Sequence, residues 1–535
     1  MTARRVVVIG GGIAGLATAA LLAREGHAVT LLEQRDVLGG RAGSWEADGF
    51  RFDTGPSWYL MPEVFDHFFR LLGTTTAEQL DLVTLDPGYR VFSDPERPEG
   101  ASDPLDIRAE GDGNRALFES VEPGGAAALD RYLASARETY RLAVDRFLYS
   151  TFADLRPLLG RDVLRRAGRL VRLLLQSLDR FVAGFVRDTR LRQILGYPAV
   201  FLGTSPERAP SMYHLMSHLD LEDGVRYPMG GFAALIDRVV ALAVAEGVEI
   251  VTGARVTAIR VDETGRRPRV AGVEYRDAFQ RSATVDADTV VSAADMHHTE
   301  TRLLPQRLRS HPDAAWEKRD PGPGAILGML GVRGRLPELT HHNLFFTSDW
   351  HADFERIFGA DPGIPEPASL YVCKPSETDP SVAPPGEENL FLLIPVPADV
   401  SLGKGGVDGA GDRIVEATVD AAIAQVSGWA GIPDLAERVV VRRTVGPDDF
   451  ASDFNAWSGG ALGPAHTLRQ SAFFRAGDAS RRVEGLYYAG CSTIPGIGLP
   501  MCLISAELVV KRLRGDTSTG RLPEPLRAPL PESVS

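Results

Sequence analysis

The stretch that most constrains this chain is its opening, "RVVVIGGGIAGLATAALLAREGHAVTLLE", residues 5–33. Arg5 to Ile9 is a continuous β-branched run, the pattern of a strand buried on both faces. Gly10, Gly12 and Gly15 follow at G-x-G-x-x-G spacing. Ile13, Leu16, Ala17, Ala20 and Leu21 then recur at helical period until Gly26 stops the helix. "AVTLLE" is a second strand and ends on Glu33, 18 residues beyond Gly15. Gly10 permits the tight turn, Gly12 lets the backbone approach a pyrophosphate, and Gly15 lets helix and strand pack closely. The first helical residues, Ile13 and Ala14 among them, present unpaired N–H groups to the phosphate, and Glu33 accepts hydrogen bonds from a ribose. Glycine-rich turns are common, but a strand before, a helix after and an acid at this distance specify a dinucleotide cradle. An acid rather than a base at position 33 disfavours a 2′-phosphate.

The next stretch, "QRDVLGGRAGSWEADGFRFDTGPSWY", places Gly39, Gly40 and Arg41 just beyond the ribose carboxylate. This is a second glycine turn carrying a cation, suited to the same pyrophosphate. "GFRFDTGPS" reads as a short strand and a tight turn ending in Gly55, Pro56 and Ser57. In isolation it is an ordinary hairpin beside a surface arginine. Directly after the nucleotide unit it resembles the FAD-binding pattern of the glutathione-reductase-2/amine-oxidase-like flavoproteins. That resemblance, not the spacing, implies FAD rather than NAD, and it implies an adenine beside the backbone around Val256.

The 58 Lys and Arg against 71 Asp and Glu give a net charge of −13. That balance argues against a nucleic-acid partner, because nothing offsets the repulsion from a phosphate backbone. It leaves a membrane surface open, since a local basic face can act against an acidic average. Cys373, Cys491 and Cys502 are odd in number and form no CxxC pair, which points to buried thiols in a reducing cytoplasm. The histidine doublets at 297–298 and 341–342 lack metal-ligand spacing, so no metal is expected. The N-terminal apolar run is short and broken by glycines, unlike a signal peptide. No apolar run reaches the roughly 18 residues of a spanning helix.

The expected fold is α/β, with a Rossmann-like FAD-binding part at 1–100. A helical, possibly membrane-associating region follows at 101–225, and the FAD part is completed at 226–300. A mainly antiparallel substrate sheet is expected at 301–450 and a C-terminal flavin-binding segment at 451–515. The Pro-rich tail 516–535 reads as disordered. The ladder "VEIVTGARVTAIRV" and the strand "ADTVVSAAD" are expected to complete the first sheet. Within the helical part, Leu164, Leu170, Val171, Leu174, Leu175, Leu178, Phe181, Val182 and Phe185 form an apolar face. Arg161, Arg165, Arg166, Arg169, Arg172 and Arg180 occupy much of the remainder. The pattern is a basic amphipathic helix, or two, for an anionic bilayer surface; the bland alternative is a domain helix with solvated arginines.

Near the end, "YYAGCSTIPGIGLPMCLISAELVVKRL" repeats the opening logic. A strand ends at Gly490, and a helix begins near Pro500. Gly496 and Gly498 remove side chains where a flat ring must come close. The helix N-terminus, with Leu499 and Met501, points its N–H groups at an electron-rich edge of that ring.

Taken together, "GGGIAG", "LGGRAG", "FDTGPS", "YPMGG", "HHNLFF", "SLYVCKPSETDPSVAPPG", "DFNAWSGGALGPAHTLRQSAFFR" and "LYYAGCSTIPGIGLP" resemble the bacterial-type phytoene desaturase family over roughly residues 4–515. The resemblance implies an FAD-dependent dehydrogenase that draws an acyclic carotenoid such as phytoene from the membrane. It would pass hydride to flavin and electrons onward to a quinone or oxygen, as a cytoplasmic, peripheral-membrane enzyme. Cys491, Ile494 and Met501 depart from the smaller residues and histidine expected there, which leaves the particular carotenoid open. No catalytic side chain is singled out. The alternatives are a carotenoid isomerase or ketolase, an amine-oxidase-like flavoenzyme, and a non-catalytic isoprenoid carrier, which would not need the intact Gly10, Gly12, Gly15 and Glu33.

Overall fold

The computed structural model describes residues 3–97, 103–154, 160, 163 and 165–526. Its first sheet has five parallel strands in the order Leu486–Tyr488, Thr289–Ser292, Arg5–Ile9, Ala28–Leu32, Glu249–Val251. The buried apolar runs of Arg5–Ile9 and Thr289–Ser292 suit strands covered on both faces. The opening helix, Ile13–Arg24, lies against the closing helix, Leu499–Arg514, and against Gly231–Ala245. Gly15 makes that helix–strand packing possible: a Cβ there would stand 1.9 Å from the Gly10 carbonyl oxygen. Gly231 serves in the same way, because it lets Asp53 approach and accept from the N–H groups of Phe232 (2.8 Å) and Ala233 (3.1 Å).

A second sheet of seven strands runs Val439–Val445, Gly324–Val332, Glu388–Val396, Leu370–Cys373, His342–Phe346, Tyr89–Ser93, Leu105–Ile107. All its pairings are antiparallel except that of His342–Phe346 with Tyr89–Ser93. The strand-like runs between 320 and 445 therefore form one wall, as their alternation with Pro/Gly turns suggests. Helices between Gly111 and Leu221 cover one side of it.

Four expectations are corrected by this arrangement. Tyr89–Ser93 belongs to the second sheet, although residues 1–100 were expected to serve the nucleotide part. The ladder at 248–262 divides: Glu249–Val251 joins the parallel sheet, while Arg255–Asp262 pairs in a separate three-stranded antiparallel sheet with Arg269–Arg276 and Ser282–Asp286. The amphipathic stretch takes the two-helix form of its expectation, Ala167–Leu175 and Leu178–Val182 with a break at Gln176–Ser177, and the correction concerns the apolar face of the second piece. Ser177 caps the second piece through the Arg180 N–H, and its Leu178 and Val182, with Phe181 and Phe185, pack into the interior rather than facing outward. Leu164 and Arg161 lie outside the described residues.

The fourth correction concerns residues 516–526. Proline content denies this segment a helix or strand, yet Leu522 and Leu526 are buried, each burial contributing roughly 1.5–3 kcal/mol. Its backbone also satisfies buried groups of the closing helix. Lys511 Nζ donates to the carbonyls of Tyr149 (2.7 Å), Ser518 (2.7 Å) and Gly520 (2.8 Å). Glu507 accepts from the Leu522 N–H at 2.6 Å, and the Leu526 N–H donates to the Leu71 carbonyl at 2.9 Å. Replacing Lys511→Met is expected to cost about 2 kcal/mol, because the buried Tyr149 carbonyl loses its donor and the partly buried bonds to Ser518 and Gly520 go with it. Limited proteolysis should then cut within 516–526 while the flavin spectrum persists; unchanged resistance would refute the pinning role.

Candidate functional site

Parallel alignment carries the strands Arg5–Ile9 and Leu486–Tyr488, on either side of Thr289–Ser292, to one sheet edge. In open α/β sheets that carboxyl edge is where ligands bind. The two glycine turns thus meet: Gly12 and Gly498 line the same cavity, of about 790 Å³. Neither the opening nor the closing helix has a side-chain cap or an acid in its first turn. Their first N–H groups are left for a ligand.

The expected residues gather here. Gly10, Gly12, Ile13 and Ala14 line the cavity from the first turn, Gly40 and Arg41 from the second. Gly55, Pro56 and Ser57 contribute after the hairpin, Glu33 and Val256 at one end, and Gly490, Gly498, Leu499 and Met501 opposite. Gly15 stands apart and serves the helix–strand contact described above. The two front turns touch, with the Gly39 N–H donating to the Gly11 carbonyl at 2.9 Å. Glu33 is held by the N–H groups of Gly11 (2.6 Å) and Arg35 (2.8 Å), one on each oxygen. Each oxygen keeps a second lone pair for a hydroxyl.

Two observations show that a nucleotide fits these residues. Gly12 has an ordinary φ of −75°, and a Cβ there would meet no protein atom closer than 3.9 Å. The fold itself does not demand glycine at that position; an approaching ligand does. Arg41 has a buried Nε without a partner, and among the described residues no carboxylate pairs with it. Its guanidinium reaches only the Gly460 carbonyl (3.4 Å), Cys491 Sγ (3.7 Å) and the face of Phe454. A half-buried cation whose Nε is shut off from water and has no partner calls for an anionic ligand.

Beyond the nucleotide end the cavity continues between the helical region and the second sheet. Its walls there include Leu142, Phe147, Leu170, Leu174, Leu327 and Phe391. Among the described lining residues the carboxylates and guanidinium are Glu33, Arg41, Asp295 and Asp453, and none of them comes from the helical region or the second sheet. The described lining of the passage therefore offers no charge to grip a charged substrate.

Its polar groups are few and mostly paired internally, although the indole Nε1 of Trp58 is buried without a partner. His466 Nε2 accepts from the Ile497 N–H at 3.2 Å, so Nδ1 carries the proton and donates to the Tyr213 oxygen 2.6 Å away. Burial holds the His466 imidazole well below its usual range, and therefore neutral. Gly496 makes room for that ring, because a Cβ would stand 2.3 Å from it. The Tyr371 hydroxyl lies 2.6 Å from Ser57 Oγ and 2.8 Å from His342 Nδ1, and Trp58 stacks on His342 at 4.6 Å. His341, His342 and Cys373 bring ligand atoms within 4.8 Å of one another. Burial pushes the Cys373 thiol up to about 12, away from the thiolate that binds metals.

The residues that sequence reasoning missed are those whose position depends on the fold. Trp58, Tyr371, Phe454 and His466 stand in segments that were recognised as motifs or as strands, and Tyr213 in a region expected only to be helical. Nothing in their spacing aims them inward.

The family profile described as flavin containing amine oxidoreductase matches residues 13–514. The carotenoid 3,4-desaturase of Haloarcula japonica is 39% identical, with 96% of this chain and 98% of that protein covered. The zeta-carotene-forming phytoene desaturase of Myxococcus xanthus is 35% identical over 95% of this chain and 94% of its own. Among solved structures, an oxidoreductase from Methanosarcina mazei superposes with a TM-score of 0.60 at 17% identity, covering 95% of this chain and all of that one; it speaks for the fold alone. The glycine cradle, the unpaired arginine and these matches agree: the chain belongs to the flavin-containing amine oxidoreductase family, in the branch it shares with the carotenoid desaturases, and is an FAD-dependent oxidoreductase.

Proposed function

We propose that the protein desaturates an acyclic carotenoid, removing hydrogens from adjacent saturated carbons and so lengthening the polyene. One observation carries this reading: a single cavity joins the nucleotide cradle to a passage whose described lining is apolar and uncharged. An amine substrate would need a counter-charge in the passage, whereas a hydrocarbon needs only shape and dryness. The carotenoid desaturases of Haloarcula japonica and Myxococcus xanthus give the substrate class.

In this reading the opening helix N-terminus at Gly12–Ala14 and Arg41 hold the pyrophosphate, Glu33 the ribose, and the backbone at Val256 the adenine. The turn from Gly490 to Met501 lies along the ring. FAD, when bound, supplies the hydride acceptor. The chain's own part is orientation: Leu142, Phe147, Leu170 and Leu174 hold the polyene rod and exclude water, so that one C–H bond meets the ring repeatedly in the same geometry. A quinone or oxygen would accept the electrons.

The entrance suits a membrane surface. Val171 and Leu175, 53% and 67% exposed, rise from the helix Ala167–Leu175, whose Leu170 and Leu174 line the cavity. The exposed rings of Phe473 and Phe474 lie 4.3 Å apart at a 46° tilt, and Phe473 lines the same cavity. Part of the basic face is already engaged, since Glu138 pairs with both Arg166 and Arg169. Apolar insertion therefore carries more of the attachment than charge does. No helix among the described residues is long and apolar enough to cross a membrane.

Expression in cells accumulating phytoene, and in parallel in cells accumulating lycopene, should yield a pigment absorbing at longer wavelength in at least one; unchanged spectra in both would reject desaturation. Gly12→Val should yield a folded, colourless protein with the melting temperature of the flavin-stripped parent, because the fold has room for the side chain and the pyrophosphate does not. Flavin content equal to the parent's would refute the cradle assignment. The combined change Val171→Glu, Leu175→Glu, Phe474→Glu should lower recovery on anionic vesicles by more than about tenfold and leave flavin content intact. Equal recovery would return the helix to a purely structural role.

A further inference from the structure

Arg475 is fully buried behind the C-terminal glycine turn and has no anion. Its Nε donates to the Thr493 carbonyl at 2.9 Å, and Nη1 donates to the carbonyls of Pro464 (3.0 Å) and Gln470 (3.2 Å). Nη2 donates to the carbonyl of Cys491. A Cβ placed on Gly496 would lie 3.6 Å from Nε. The guanidinium therefore sits directly against the backbone of the turn whose other side, at Cys491, Ile494, Ile497 and Gly498, faces the cavity.

Among the described residues no carboxylate pairs with it. The titratable and charged groups facing it are Tyr213, His466, Cys491, Cys502 and a second cation, Arg319. Burial draws its pKa down to about 10, which leaves it charged at neutral pH. Burying an ion without a counter-ion is costly, and truncating the cation to relieve that cost would be simple. Four carbonyl dipoles fix the group in place but do not neutralise it.

We infer that Arg475 is a positioning residue for redox: a fixed cation behind the Cys491–Gly498 turn that stabilises the flavin ring when it has become an anion, and so raises its reduction potential. The inference rests on the placement of the ring along this turn. Hydride taken from a substrate C–H bond brings two electrons and one proton to a neutral ring and leaves one net negative charge, while the neighbouring carbon releases its second hydrogen as a proton. A hydrocarbon is a reluctant hydride donor, so the acceptor must be made more oxidising. A preorganised charge in a site without water is the effective way to do so. The closing helix N-terminus acts in the same direction, with partial charge only.

The test is the flavin midpoint potential of the holoenzyme, measured by equilibration with reference dyes, in the parent, Arg475→Gln and Arg475→Lys. Arg475→Gln should fall by at least about 30 mV, a tenfold shift in the two-electron equilibrium. Arg475→Lys should keep the parent's potential at pH 7 despite losing most of the carbonyl bonds. Its potential should then drop away from the parent's between about pH 7 and 10, because a buried ammonium deprotonates earlier than a guanidinium. Flavin bound with an unchanged potential in Arg475→Gln would overturn the inference and leave the ring's placement standing. If the glutamine variant does not hold flavin, the lysine variant decides alone: a lowered potential at pH 7, or no pH break, overturns it. Absence of flavin from the parent protein would instead reject the placement itself.

Discussion

The parallel register of Arg5–Ile9, Thr289–Ser292 and Leu486–Tyr488 puts the carboxyl ends of strands nearly 480 residues apart at one edge. From that edge two helices leave side by side, and the unpaired N–H groups of both start at the same crevice. Neither turn makes a site alone. In the proposed reading the first would hold phosphate and ribose, and the second would give a bare surface for a ring. The helix–helix contact holds the distance between them, and Gly15, by clearing the Gly10 carbonyl, sets how deeply the opening helix sits.

Charge is distributed with the same economy. Among the described lining residues the carboxylates and the guanidinium belong to the segments assigned to the nucleotide, and the polar groups of the passage are few and uncharged. Three wholly or partly buried cations illustrate two solutions to one cost. Lys511 is wrapped by three carbonyls with Glu507 nearby, which fixes the chain's last described segment. Arg41 and Arg475 are left without carboxylates, and both stand beside the surface where an anionic ligand would rest. The first arrangement serves stability and the second serves binding.

Much of the nucleotide end was legible because its requirements are local. A β-branched run, glycines at fixed intervals and Glu33 at a fixed distance are properties of one βαβ unit, and distant residues hardly affect them. The C-terminal turn was legible for the same reason, through Gly490, Gly496 and Gly498. What could not be read was partnership at long range. Tyr89–Ser93 resembles any short strand, and only pairing with His342–Phe346 assigns it to the second sheet. The amphipathic stretch kept its helical period across Gln176–Ser177, so the break, and the turning of Phe181 and Phe185 into the interior, left no mark on the pattern. The segment 516–526 has a disordered composition, and its order comes from Lys511 and Glu507 needing partners. Arg475 looked like one arginine among many.

The interleaving of the parallel sheet also bears on biogenesis. Its five strands come from residues 5–9, 28–32, 249–251, 289–292 and 486–488, so no contiguous fragment contains a complete cradle. During translation the polypeptide must carry an open, oily cleft until the final strand clears the ribosome tunnel. Nascent chains of this protein should therefore be clients for holdase chaperones or for the bilayer itself, and nucleotide capture becomes the closing event of its maturation.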